Sequence, residues 1–551
     1  MPAIRPALLH ALGQLQRSAP AAAFAVASMN PERAQRAKLE EILRRNRDTE
    51  YGRAYGFAAI KTPQEFAKAV PIMTPESMAP FVSRQMAGER GILTAEAPVY
   101  YVRTTGSTGA PKHVPITPSY KKDFQKTVSV ALFHLYARFP EAFFGTAVYF
   151  VGSRHVAKAA DGCDVGTMSG FNFTELPPLV RSIYAWPYEL FEVKDLRSRT
   201  YLSLLLAALS DPSLIAGIFP APIVYLLREL ANVCGDLSRD IRQGTLPGWL
   251  ELTDAQRVFF RRRMRADANL AERLIRAAGQ PVEDRAALAF PSLRLVYCWT
   301  TATAALYLPE LQRLLPHVDV RDAIYSACEG WASIPVGEEA PGGALALDSL
   351  YFEFIEESAF EKGQRDTVRA WELEDKKRYV VLFTTHAGLY RYLLGDIVEV
   401  CGLHHHTPRI RFVRKLGAAS NLAGEKLEEG HVSRAVGDAL NELGLGSTFF
   451  TLAPVTGGEK PGYRLHFEAA GRNPDAEVVA KLEQAVDRHL GLASFDYARL
   501  RGARQLEPVS VVCLPPGSYD AWRQARVKEG SAEAQLKVAH LVADAAQVPT
   551  L

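Results

Sequence analysis

The 551-residue chain lacks most of the features that give a quick assignment. Its six cysteines, at positions 163, 234, 298, 328, 401 and 513, form no CxxC pair. That argues against a disulfide framework and a cysteine-based zinc site, and suits a reducing, cytoplasmic setting. A formal net charge of +3 leaves no electrostatic footprint for nucleic acid or an anionic membrane. The N-terminal stretch holds no apolar run near the ~18–20 residues that cross a bilayer. The first thirty residues, "MPAIRPALLHALGQLQRSAPAAAFAVASMN", lack a compact apolar core with a cleavage site, so they read as an amphipathic helix packed on the body rather than a targeting peptide. There is no fixed-period repeat and no long low-complexity segment. A Walker phosphate loop, GxxxxGK[ST], is missing, and so is a GxGxxG following a strand.

What is present is ordinary globular material, 48% hydrophobic and 23% charged. The length suits two to four domains, or one large domain with a smaller appendage. Residues 30–75 read as helices and 199–277 as mostly helical. "ITPSYKKDFQKTVSVALFHLYARF" opens a helix with Thr117 as N-cap and Pro118 at the first helical position. From about 290 the texture changes to strand-length runs, "LRLVYCWTT", "VDVRDAIYS", "LYFEFIE", "RYVVLFTT" and "RIRFVRK". Strands mixed with long helices imply an α/β architecture. The small, polar "LGAASNLAG" marks a boundary, giving domains 1–414 and 415–551; the second reads as a compact α+β domain.

Between a strand ending near Arg103 and the helix after Thr117 lies "TTGSTGAPK", Thr104 to Lys112. Gly106 and Gly109 let backbone N–H groups approach a ligand, and Thr104, Thr105, Ser107 and Thr108 add hydroxyls. Lys112 can place a cation at the mouth. The composition suits a phosphate. Three further stretches carry chemistry-bearing side chains. In "AIYSACEGWASIPVG", Glu329 ends a strand-like run, a good place for one carboxylate on Mg²⁺, and Tyr325 can stack on a base. In "TTHAGLYRYLLGDIVEV", Asp396 follows Gly395 and reads as a turn residue able to accept two hydrogen bonds from a ribose diol. Arg414 ends "RFVR" at the boundary. "HHH" at 404–406 reads as a solvated loop, and Cys328 as a buried small residue rather than a nucleophile.

Taken in order, "TTGSTGAPK", "YSACEG", "YRYLLGD" and "FVRK" resemble the ANL superfamily of acyl-adenylate-forming enzymes. Together with "GLYRYLLGDIVEV", "LYFEF", "GEKLEE" and "NRDTEYGRAYGF", they resemble the auxin-responsive (Gretchen Hagen) acyl acid amido synthetases of plants and their bacterial relatives, and the chain is identified as a bacterial-type member. The resemblance covers nearly the whole chain. It implies a large N-terminal adenylate-forming α/β domain that binds ATP and acyl acid, and a smaller, mobile C-terminal α+β domain. It also implies a reaction: ATP and Mg²⁺ activate a small carboxylic acid as an acyl-adenylate, and the amine of an amino acid displaces AMP to form an amide.

The resemblance also assigns residues. Thr104, Thr105, Gly106, Ser107, Thr108 and Gly109 match the phosphate loop, and Lys112 its closing lysine. Thr300 and Thr301 fall where backbone lines the adenine site. Tyr325 matches the adenine-stacking aromatic, Glu329 the Mg²⁺ carboxylate, Asp396 the ribose-binding aspartate, and Arg414 the arginine before the hinge. "GSAEAQLKVAH" makes Lys537 the mobile catalytic lysine. Two departures stand out: the family commonly has Gly near Thr301–Ala302, and Pro-Arg where this chain has Ala539-His540. The implied partners are small molecules, with no nucleic acid, membrane or obligate protein partner. The alternatives are a ligase with a thiol acceptor such as coenzyme A, and a non-catalytic nucleotide-binding protein.

Overall fold

The computed structural model describes residues 4–103, 112–337, 341–416, 419–455 apart from 421, 424 and 426, 460–528 apart from 503, 539–542 and 548. The chain divides into two compact units, Met1–Phe412 and Val413–Leu551. The larger is α/β, with three sheets, and the smaller α+β. Among the described residues, no helix is long and apolar enough to cross a membrane.

One sheet of the large unit is parallel. Ala147–Tyr149, Leu214–Ala216, Leu295–Cys298 and Asp319–Asp322 lie side by side in that order. Ala147 pairs with Leu214, Leu214 with Leu295, and Leu295 with Asp319, so the four strands start level and end along one edge. Open parallel sheets bind ligands at that carboxyl edge. The helices Leu196–Ser210, Ala221–Gln243 and Ala268–Ala278 enclose this sheet's core through Leu204, Leu227, Leu274 and Val296. The strand Leu214–Ala216 interrupts a region that reads as mostly helical. At three residues it is too short for its period-2 pattern to stand out.

The second sheet has eight strands, with Val368–Arg369 at one edge and Tyr325–Ala327 at the other; Arg378–Thr384, Tyr392–His404 and Thr407–Lys415 are neighbours near its middle. "VDVRDAIYS", read as one strand, is therefore two. Asp319–Asp322 belongs to the parallel sheet and Tyr325–Ala327 to the large one. Asp396 is not in a turn. It lies within the long strand Tyr392–His404, directly after Gly395, whose φ of +77° and the register shift opposite Val380–Leu382 mark a bulge. A bulge and a tight turn use the same residues, which is why the sequence does not separate them.

A third sheet holds the hairpin Tyr100–Arg103 and His113–Ile116, whose last pair is Arg103 opposite His113. Residues 104–111, between them, lie outside the described residues. The helix Pro118–Arg138 follows, and Thr117 caps it by accepting from the Tyr120 N–H. In the small unit, Ser447–Val455 pairs antiparallel with Gly462–Ala469, which pairs in parallel with Ser510–Cys513. Glu429–Glu442 and Ala476–Ala493 pack there through Val432, Val436, Leu482 and Val486 against Leu452, Leu465 and Phe467.

A buried ion pair ties the large unit together. Arg391 Nε meets both oxygens of Glu353 at 3.0 and 3.2 Å, and the two residues are 5% and 1% exposed. Arg391 Nη1 donates to the carbonyls of Ala67 and Val70, and Thr367 joins both charged groups. Removing one partner of such a pair leaves a buried, unbalanced charge and costs about 3–5 kcal/mol. Glu353→Ala is expected to lower the stability of the large unit by that amount in urea unfolding. A loss below about 1 kcal/mol would mean that the pair is dispensable.

Candidate active site

Tyr325 stands just beyond the carboxyl edge of the parallel sheet, as the first residue of the edge strand of the large sheet. Its hydroxyl donates to Asp396 Oδ2 at 2.6 Å, and its ring stacks on Phe412 with centroids 5.9 Å apart. Asp396 is 3% exposed. Glu329 sits in the two-residue turn between Tyr325–Ala327 and Gly330–Ile334. The Tyr392 hydroxyl approaches Glu329 Oε1 at 3.5 Å. Two sequence-predicted carboxylates, an aromatic, and a tyrosine not singled out by sequence reasoning thus meet at one place.

Local sequence fixes this geometry. Gly330 must be glycine, because a Cβ there would lie 2.8 Å from the buried Phe383 ring. The turn carrying Glu329 can therefore press against the sheet. Gly395 supplies the left-handed backbone that turns Asp396 toward Tyr325.

The electrostatics extend toward the glycine-rich hairpin. Burial, then Glu329, and more weakly Glu76, raise the Tyr392 pKa. Glu76 is held below the usual carboxylate range by the N–H groups at the start of its own helix, by Thr74 and by Lys112. Lys112 directly precedes the hairpin's return strand His113–Ile116. Burial, followed by Asp396 and Glu329, keeps Tyr325 well above its ordinary pKa, so it stays a donor.

Thr300 and Thr301 follow the parallel strand Leu295–Cys298. The Thr300 N–H donates to Asp322 Oδ1 at 2.9 Å, and the Gly342 N–H to Oδ2 at 3.1 Å. Burial pushes the Asp322 pKa up, and these backbone donors oppose it. Arg414 opens the small unit, where its Nε lies 3.2 Å from Glu428 Oε1. Thr104, Thr105, Gly106, Ser107, Thr108, Gly109 and Lys537 lie outside the described residues. The residues after Lys537 are described: Leu452 N–H donates to His540 C=O at 2.9 Å, and His540 N–H donates to Glu429 Oε1. Cys328 is half-buried rather than buried.

Among the described residues, no group of three or more His, Cys, Asp or Glu could hold a metal. The donor chemistry at Glu329 nonetheless fits Mg²⁺, which takes one or two carboxylates and completes its shell with phosphate oxygens and water. Sequence reasoning missed Tyr392, Glu76, Phe412 and Asp322. Tyr392 lies inside the motif "YRYLLGD", and its period-2 relation to Leu394 was the available signal. Asp322 and Glu76 carry no local sign of their contacts.

The fold is shared with acyl acid amido synthetases. One solved structure, of the GH3.15 acyl acid amido synthetase, superposes with a TM-score of 0.82 at 22% identity, covering 94% of this chain and 92% of that one. A more distant likeness, to 2-hydroxyisobutyryl-CoA ligase in its postadenylation state, has a TM-score of 0.53 at 11% identity, covering 94% and 90%. The chain belongs to the GH3 family: the family's N-terminal domain matches residues 21–320, its central domain 343–415 and its C-terminal domain 430–546. Among its relatives are a jasmonoyl–L-amino acid synthetase, JAR6, of Nicotiana attenuata, 26% identical over 74% of this chain and 73% of that protein. Another is the indole-3-acetic acid-amido synthetase GH3.4 of Arabidopsis thaliana, 23% identical over 93% and 89%.

The departure at Ala302 has a structural consequence. Its φ is +51°, in the left-handed region that glycine adopts freely and alanine adopts at a cost of about 1–2 kcal/mol. Ala302→Gly is therefore expected to be neutral or stabilising by up to about 1 kcal/mol, because glycine's extra unfolded-state entropy offsets part of the relief. Ala302→Val should destabilise, since a β-branched residue fits that backbone worse. Thermal unfolding of both variants checks the order; an Ala302→Gly variant less stable than Ala302→Val would refute it.

Proposed function

We propose that the chain is an ATP-dependent acyl acid amido synthetase. It converts a small carboxylic acid to an acyl-adenylate with release of pyrophosphate, then passes the acyl group to the amine of an amino acid, forming an amide and AMP. The observation that carries this reading is the Tyr325–Asp396 hydrogen bond beside the Glu329 turn, in a chain that belongs to the GH3 family. A carboxylate is a poor acyl donor because oxide leaves badly, and AMP is a far better leaving group.

The proposed roles follow from the chemistry of each group. The Tyr325 ring packs on adenine, its hydroxyl orients Asp396, and Asp396 accepts from the ribose diol. The Thr104–Gly109 loop holds the phosphates with N–H and hydroxyl donors. Lys112 adds positive charge at the mouth of that loop, and Thr300 and Thr301 line the adenine. Glu329 is the carboxylate that would hold Mg²⁺, which when bound neutralises charge on the triphosphate. Arg414 takes the family's role of the arginine before the hinge, and Lys537 that of its catalytic lysine, as the resemblance implies. Prearranged donors of this kind lower the barrier because they need little reorganisation. We read the chain as a bacterial-type member working in the cytoplasm; the six free cysteines support the second point.

ATP–pyrophosphate exchange with a panel of carboxylic acids, followed by product analysis with amino acids, tests the function. Exchange without any amide, or product only with coenzyme A, would overturn it. Asp396→Ala should weaken ATP binding ~10–150-fold, the cost of losing a charged acceptor. Tyr325→Phe keeps the ring and removes only the hydroxyl, so it should weaken ATP by a smaller factor, ~3–10-fold. Wild-type ATP affinity in Asp396→Ala would remove Asp396 from the site.

A further inference from the structure

The helix Pro118–Arg138 places Tyr120, 1% exposed, behind the Glu329 turn. The Tyr120 hydroxyl donates to the Cys328 carbonyl at 2.9 Å, across 208 residues of sequence. Cys328 and Glu329 share a peptide unit, so this bond fixes the plane from which the Glu329 side chain leaves. The helix end bearing Tyr120 is itself bolted down. Thr117 caps Tyr120 N–H and donates to the His386 carbonyl at 2.8 Å. One turn on, Asp123 meets His386 Nδ1 at 2.6 Å and Lys38 Nζ at 3.0 Å. Burial, then Cys328, Glu329 and Asp123, holds the Tyr120 hydroxyl protonated and able to donate.

We propose that Tyr120 is a positioning residue for the Glu329 carboxylate: it acts on the metal–nucleotide complex through the Cys328–Glu329 peptide and touches neither metal nor substrate. This rests on the reading of Glu329 as the Mg²⁺ carboxylate. Glycine at 330 gives the anchor a purpose. Gly330 lets the turn sit flush on Phe383 but removes the side-chain packing that would otherwise hold the turn. Tyr392 approaches the carboxylate only at 3.5 Å, a weak restraint beside the 2.9 Å bond of Tyr120.

Mn²⁺ binding to the full chain tests this, with a non-hydrolysable ATP analogue present and free Mn²⁺ followed by electron paramagnetic resonance. The wild type, Tyr120→Phe, Glu329→Gln and the double variant are compared, with thermal unfolding confirming that each is folded. Tyr120→Phe should raise the Mn²⁺ dissociation constant ~3–10-fold, the worth of one hydrogen bond. Glu329→Gln should raise it further, and adding Tyr120→Phe to Glu329→Gln should change nothing more. If Glu329→Gln weakens Mn²⁺ and Tyr120→Phe does not, the positioning role is wrong and the metal reading stands. The same follows if Tyr120→Phe has its full effect in the Glu329→Gln background. If Glu329→Gln leaves Mn²⁺ binding unchanged, the metal reading itself fails, and Tyr120 with it.

Discussion

The buried contact between Arg391 and Glu353 sets the frame on which the site is built. The guanidinium is planar and always charged, so it can join a carboxylate and two carbonyls in one fork. Here it does so at the end of the helix Pro63–Ala69, whose last carbonyls lack intrahelical partners. A cation at a helix C-terminus also meets the negative end of the dipole. The Arg391 backbone continues the work. Its carbonyl accepts from Met73 N–H at 3.1 Å, and Leu393 N–H donates to the Met73 carbonyl at 2.8 Å. The N-terminal helices are thereby stitched to the strand that carries Tyr392, Gly395 and Asp396. Arg391 adopts φ of +48° at this point, a strained conformation that the surrounding bonds hold in place.

From that frame, two sheets with different rules deliver the site. The parallel sheet brings four strand ends to one edge, and the chain leaves it after Asp322. Three residues later it starts a strand of the large sheet at Tyr325. That switch between sheets places an aromatic between the carboxyl edge of one and the bulged strand of the other. The large sheet then holds both Tyr325 and Asp396, 71 residues apart in sequence, on two of its strands.

This explains what the sequence made legible. Residue types were readable wherever local chemistry is constrained. Thr117 caps its helix as read, and the strands at 351–356 and 378–384 announce themselves by β-branched and aromatic content. Tyr325, Glu329 and Asp396 were picked out by resemblance to a motif order, and the structure brings those three together. What stayed hidden is non-local. The split of "VDVRDAIYS" between two sheets depends on pairing partners far along the chain. The bulge at Gly395 resembles a turn because both need a positive φ. The hydrogen bond from Tyr120 to Cys328 has no trace in the residues around it. Asp322 likewise looked like a strand residue, although it organises the backbone at Thr300 and Gly342.

The hydroxyls of the site share one electrostatic logic. Tyr120, Tyr325 and Tyr392 are all pushed above the usual phenol range by burial and by the carboxylates nearby. A carboxylate raises a neighbouring phenol's pKa for the same reason that the phenol donates to it: the proton is worth more where negative charge is close. The tyrosines therefore stay neutral donors: Tyr325 to Asp396, Tyr120 to the Cys328 carbonyl, and Tyr392 toward Glu329, so each fixes its acceptor without carrying charge into the site.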